Sequence, residues 1–155
     1  NYRDNGKQSQ HRSTGSNSRM SELDCAIMMI KTAHLDSWQN RRQDIALQYM
    51  QGFKDANLRC LIDDFYFHSH AYHKFVIDVD NRQYIMAGLA AKGIETKMHY
   101  QYALPDHSVY RQYSGPDMMG VCYSLTRRCL SLPFYPELTD SEAEYIIKSV
   151  LELVS

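Results

Sequence analysis

One hundred and fifty-five residues fit one ordinary domain, enough chain to bury a core, and a hydrophobic fraction of 44% beside 23% charged residues marks it as globular rather than disordered. Seventeen basic against eighteen acidic residues leave a net charge of -1, which argues against a chain whose main work is neutralising nucleic-acid phosphates. No apolar run approaches the ~18 residues that a membrane span requires.

Residues 1–20 have no apolar period and read as an irregular polar segment, without the apolar stretch of a signal peptide. Ser21 is a good N-cap, and Asp24 stands where its carboxylate favours the positive end of a helix. Leu23, Ala26, Ile27, Ile30 and Ala33 recur at helical spacing and predict one buried face. Asp36 reads as a second cap, opening a longer helix with Trp38, Ile45, Tyr49 and Phe53 on one face. Its other face holds Arg41, Arg42 and Asp44, and it ends near residues 55–57.

Residues 74–79, rich in aromatic and β-branched side chains, predict a strand. Asp80 with Gln83 resembles a capping box ahead of a helix that carries Tyr84, Ile85 and Leu89, and Gly93 stands where a glycine would end it. The alternation of Ile94, Thr96 and Met98 predicts a second strand, followed by a loop over residues 99–115. A short helix over 121–127 leads to a third strand over 129–132, stopped by Pro133 and Pro136. Thr139 and Glu142 form a capping box for a last helix with Ala143, Ile146, Ile147, Val150 and Val154 inward. The sum is an α/β chain of the α+β sandwich kind, helices covering one face of a small, mainly antiparallel sheet of three or four strands. Such layering hosts unrelated functions.

The four cysteines show no C-x-x-C spacing, so reduced thiols are expected rather than a disulfide scaffold or a zinc site. His68, His70 and His73 would offer a metal pair if they lay on a strand; a polar loop is the plainer reading, and no metal site is expected. Neither a G-x-S-x-G elbow nor a phosphate-binding glycine loop is present. Two segments carry more chemistry. Residues 15–20 put amide and guanidinium donors beside a helix start, which suits an anion such as phosphate. Residues 96–110 gather Tyr and His side chains that can stack on a base or sugar and still form hydrogen bonds.

Gly15, Asn17, Arg19, Met20, Leu23 and Ala26 follow a G-x-N-x-R-M-x-x-(L/I)-x-A-A pattern. Arg41, Arg42 and Tyr49 come next, then the run Ala71, Tyr72, His73, Lys74, Phe75, Val76 and Ile77, then Arg82 and Leu89. Gly93, Ile94, Thr96, His99 and Tyr100 follow, and the series closes on Leu130, Ser131, Leu132, Pro133, Tyr135, Pro136, Leu138, Thr139 and Glu142. Arg3, Asp4 and Gly6 match a short piece that precedes the loop. In this order the chain resembles the DegT/DnrJ/EryC1/StrS family of pyridoxal-phosphate-dependent nucleotide-sugar aminotransferases.

The resemblance implies the C-terminal small domain of a fold-type I aminotransferase. Residues 1–20 would be the loop that follows a large domain, 21–57 connecting helices, and 58–155 the small α/β sandwich. The family's Schiff-base lysine stands in an S-x-x-x-x-K stretch followed by a glycine-rich run, upstream of everything matched here, so no catalytic residue is assigned, and this chain alone is expected to be inactive. The resemblance maps Asn17 onto a residue that reaches the cofactor phosphate of the neighbouring subunit, with Arg19 in support, and so implies a homodimer. It maps His99 and Tyr100 onto the mouth of the active site and the nucleotide sugar. Where the family continues H-Y-P-x-P-L-H-x-Q, this chain places Pro105 at the usual histidine and His107 at the usual glutamine, making His107 a further substrate-binding candidate. The implied partners are a nucleotide-sugar substrate and an amino-acid donor, with no nucleic acid or membrane. The implied setting is cytoplasmic amino-sugar or polysaccharide biosynthesis. Sugar dehydratases of the same family, with histidine in place of the lysine, and a non-catalytic binding module are the alternatives. If a large domain is missing, Trp38, Ile27 or Ile30 would belong to an apolar patch that is solvent-facing or covered by self-association.

Overall fold

The computed structural model describes residues 19–56, 58–62, 70–113 and 120–154. The chain divides into two compact units, Asn1–Ser37 and Trp38–Ser155.

In the first unit, Ser21 caps helix α1, Glu22–Thr32. Its Oγ accepts the Asp24 N–H at 3.1 Å and donates to the Asp24 carboxylate at 2.7 Å. The expected buried face is not buried: no α1 residue is, and Leu23 and Ile30 are 70% and 67% exposed. Periodicity reports an apolar stripe, but burial needs a surface for it to face.

Helix α2, Leu35–Lys54, starts one residue before Asp36, which therefore sits in the first turn and not at the cap. From Trp38 onward it belongs to the second unit, where Ile45, Ala46, Tyr49 and Phe53 are buried. Arg41 and Arg42 are not on an open polar face. Both are half-buried: Arg41 donates to the Leu138 carbonyl and pairs with Asp140 at 2.7 Å. Arg42 donates to the Tyr72 carbonyl at 3.2 Å and lies 5.6 Å from the Phe134 ring centre. Long cationic stems cover apolar surface while their heads find carbonyls, which widens the buried stripe of α2.

The sheet has three antiparallel strands in the order β1 (Arg59–Cys60), β2 (Phe75–Asp78), β3 (Cys129–Leu132). Phe75 stands opposite Leu132 and Ile77 opposite Leu130, so apolar side chains pair across β2 and β3. Strand β1, paired through Arg59 with Asp78 and Cys60 with Ile77, is too short to announce itself by alternation. The strand expected over residues 94–98 reduces to one bridge, Lys97 with Ser131. Its first residue is diverted, because the Ile94 N–H goes back to the Leu89 carbonyl.

Helix α3, Arg82–Ala91, has Asn81 at its N-cap with no side-chain bond. The expected Asp80–Gln83 box does not form; Asp80 pairs with Arg128 at 3.3 Å instead. Gly93, at φ 76°, ends α3 in the left-handed region that costs other L-residues about 1–2 kcal/mol. Helix α4, Gly120–Arg128, precedes β3, and α5, Asp140–Val154, closes the chain. The Thr139–Glu142 box is present in both directions: Thr139 Oγ1 accepts the Glu142 N–H at 3.3 Å, and the Glu142 carboxylate accepts the Thr139 N–H at 2.8 Å. The core joins Tyr49 and Phe53 of α2, Phe75 and Ile77 of β2, Leu89 of α3, Leu130 of β3 and Val150 of α5. Helix α5 comes close to both α2 and α3 because glycine stands at each approach. A Cβ on Gly52 would lie 2.7 Å from Ile147, and one on Gly88 2.6 Å from Leu153.

Candidate functional site

Ser131 is the joint between sheet and site. It sits on β3 and is buried, and its backbone N–H and C=O both exchange hydrogen bonds with Lys97, at 2.8 and 3.1 Å. That bridge anchors the segment that delivers His99, whose Nδ1 lies 2.9 Å from Ser131 Oγ. His99 and Ser131 line a cavity of about 690 Å³, together with His73, Lys74, Lys97 and Glu95. Phe134, Tyr135, Tyr145 and Glu142 also line it. Such a volume falls within the usual range of small-molecule sites.

Burial holds the His99 imidazole below its ordinary pKa, and the nearby charges of Lys74, Lys97 and His73 push it further down. The ring is therefore neutral at pH 7, able to donate one hydrogen bond and accept another. Glu142, bound by the Thr139 N–H and hydroxyl, is held below the usual carboxylate range.

Among the described site candidates, only His99 lines this cavity. Tyr100 follows His99, its ring edge-on at 5.6 Å, but it is largely exposed and does not line the cavity. His107 is exposed, 6.4 Å from the Tyr102 ring and outside the cavity wall. Arg19 is exposed just before α1, and Asn17 lies outside the described residues. The amino end of α1 carries its own carboxylates, Glu22 and Asp24, so an anion there would rely on the guanidinium rather than on the helix end. His68 is outside the described residues. His70 serves the backbone: its Nδ1 accepts the Tyr72 N–H at 2.9 Å, supporting the positive φ of 46° at Tyr72. Among the described residues no three His, Cys, Asp or Glu side chains are grouped to hold a metal. The four cysteines are free thiols.

Sequence reasoning missed His73, Lys74, Lys97 and Ser131 as cavity residues. One signal was present: Ser131 is a small polar residue between the apolar Leu130 and Leu132 of a buried strand.

Residues 2–151 match the DegT/DnrJ/EryC1/StrS aminotransferase family. The chain belongs to that family. A curated relative, dTDP-3-amino-3,4,6-trideoxy-alpha-D-glucose transaminase of Streptomyces venezuelae, is 31% identical over 146 residues, covering 92% of this chain and 38% of the relative. The crystal structure of a DegT DnrJ EryC1 StrS aminotransferase from Brucella abortus superimposes with a TM-score of 0.82 at 28% identity, over 97% of this chain and 40% of that one. That of S. venezuelae DesV gives a TM-score of 0.80, also at 28% identity, over 97% of this chain and 41% of that one. The chain thus spans about two fifths of the length of these family members. Its fold is that of the C-terminal part of the DegT/DnrJ/EryC1/StrS aminotransferases, a small α+β domain with an antiparallel sheet.

Proposed function

We propose that this chain is the C-terminal portion of a pyridoxal-phosphate-dependent aminotransferase that acts on a nucleotide-linked keto sugar. The observation that carries this reading is the unbroken family match over residues 2–151, to which the S. venezuelae sugar transaminase adds a substrate class. On this reading residues 1–20 follow a large domain, 21–57 connect, and 58–155 form the small domain. The whole protein works as a cytoplasmic homodimer in amino-sugar or polysaccharide biosynthesis.

The residues present fit only part of the cofactor's needs. Arg19 is an exposed cation that, with Asn17, suits the phosphate end, whereas none of the seven lysines stands in an S-x-x-x-x-K stretch followed by a glycine-rich run; Lys74 has a serine five residues before it but continues into the apolar strand over residues 75–78. When bound, pyridoxal phosphate supplies the electron sink through which an amino group passes from donor to keto carbon. This chain's own contribution is to bind and orient. His99, neutral and steadied by Ser131, offers a directed hydrogen bond to the sugar nucleotide without a charge. Tyr100, largely exposed, offers ring surface and a hydroxyl, and His107 belongs to the same loop region. The 155-residue chain by itself is expected to be inactive.

The test is the full-length gene product with glutamate and a dTDP-linked keto sugar. The expected result is a pyridoxal-phosphate absorbance band and amino transfer, both lost when the upstream lysine is replaced. A full-length protein that never takes up the cofactor overturns the reading. Uptake followed by loss of water from the sugar, without amino transfer, makes it a dehydratase.

A further inference from the structure

We propose that Lys74 and Lys97 form a subsite for the diphosphate of the nucleotide-linked substrate, in the cavity that His99 lines. The identity of the substrate rests on the function proposed above; the anion chemistry rests on the geometry.

Both lysines line the cavity, and their charges reach the same imidazole. Lys74 is half-buried and makes no ion pair among the described residues. Lys97 pairs with Glu95 at 3.3 Å, but these side chains are 65% and 81% exposed, so the pair is weak and open to exchange for a stronger anion. The other charges on the walls are already engaged. Arg42 directs its guanidinium to the Tyr72 carbonyl, and the Glu142 carboxylate is turned to Thr139. Lys74, with no ion pair among the described residues, and Lys97, held only by the exposed Glu95, are the lining cations left for a ligand beside His99. Two separate point charges suit a diphosphate, whose charge is spread over two centres, better than a single carboxylate, for which one planar guanidinium is the usual partner. The rings of Phe134 and Tyr135, which line the same cavity, give the organic part of such a ligand somewhere to lie.

The experiment uses full-length protein and calorimetric titration with dTDP, UDP and inorganic pyrophosphate. Lys74→Gln and Lys97→Gln should each weaken nucleoside-diphosphate binding roughly tenfold, the scale of one charged hydrogen bond. Lys97→Arg should retain most of the affinity, and Glu95→Gln, which releases Lys97, should tighten it a few-fold. Lys148→Gln, on α5 and away from the cavity, should change nothing. In turnover, the lysine variants should raise KM for the nucleotide sugar while kcat and the donor KM stay within about twofold. Unchanged nucleoside-diphosphate affinity in both Gln variants overturns the subsite. So does a raised donor KM with that affinity intact, which would make it a carboxylate site. A protein that transfers amino groups while its lysine variants bind like wild type loses only this inference. One that binds neither nucleoside diphosphate nor cofactor loses the proposed function as well.

Discussion

His99 is held by one hydroxyl and opposed by several charges. Burial and the cations around it make the protonated ring costly, so the native protein binds this proton more weakly than the unfolded chain does. The sign follows from proton linkage. Between the ordinary histidine value of about 6.5 and the lowered native value, stability rises with pH, and this contribution is lost as pH falls through the native value. NMR titration of the His99 ring protons should therefore show a midpoint below 6.5. A midpoint at or above 6.5 would mean that the cations do not act on the ring.

Among the elements, the ends of helices were legible where the relevant groups are three residues apart. The Thr139–Glu142 box forms as the spacing predicts, because both partners lie on one turn and need nothing from elsewhere. Thr139→Ala should cost about 1 kcal/mol, read as a lower urea midpoint at unchanged slope. The Asp80–Gln83 pair had the same spacing and failed, because Arg128, 48 positions away in sequence, draws Asp80 into an ion pair. The same distinction separates the strands. Residues 75–78 and 129–132 are strands in sequence and structure alike, each apolar enough to be buried on its own account. Residues 94–98 alternate just as well, yet only Lys97 bridges to a strand, since strand pairing depends on which edge the chain reaches.

At the scale of the whole molecule, the two units differ in what holds them. The second is organised around one buried cluster from α2, β2, α3, β3 and α5. Helix α1 has eleven residues, a capped start and no buried side chain, and isolated helices of that length are marginal in water. In the 155-residue chain alone, amides of α1 should exchange with solvent much faster than those of β2 and β3. In the full-length protein, where a large domain is proposed, α1 should gain protection. Equal protection of α1 and the core strands in the short chain would show that its apolar stripe, with Leu23 and Ile30 exposed, is already covered by self-association.

By itself the sequence determined the features that neighbouring residues settle among themselves: the capped starts of α1 and α5, the glycine end of α3, the two main strands and the ordered motifs that mark the family. It singled out His99 through a motif, but not the surroundings that give the ring its chemistry. Only the tertiary structure decided that Arg41 and Arg42 turn inward to carbonyls and that Ser131 holds His99. It also decided that Lys74 and Lys97, 23 positions apart, share one cavity. The physical reason is range. A cap or a helical stripe is fixed within a turn or two, whereas an electrostatic site is a sum over charges that only the folded chain brings together.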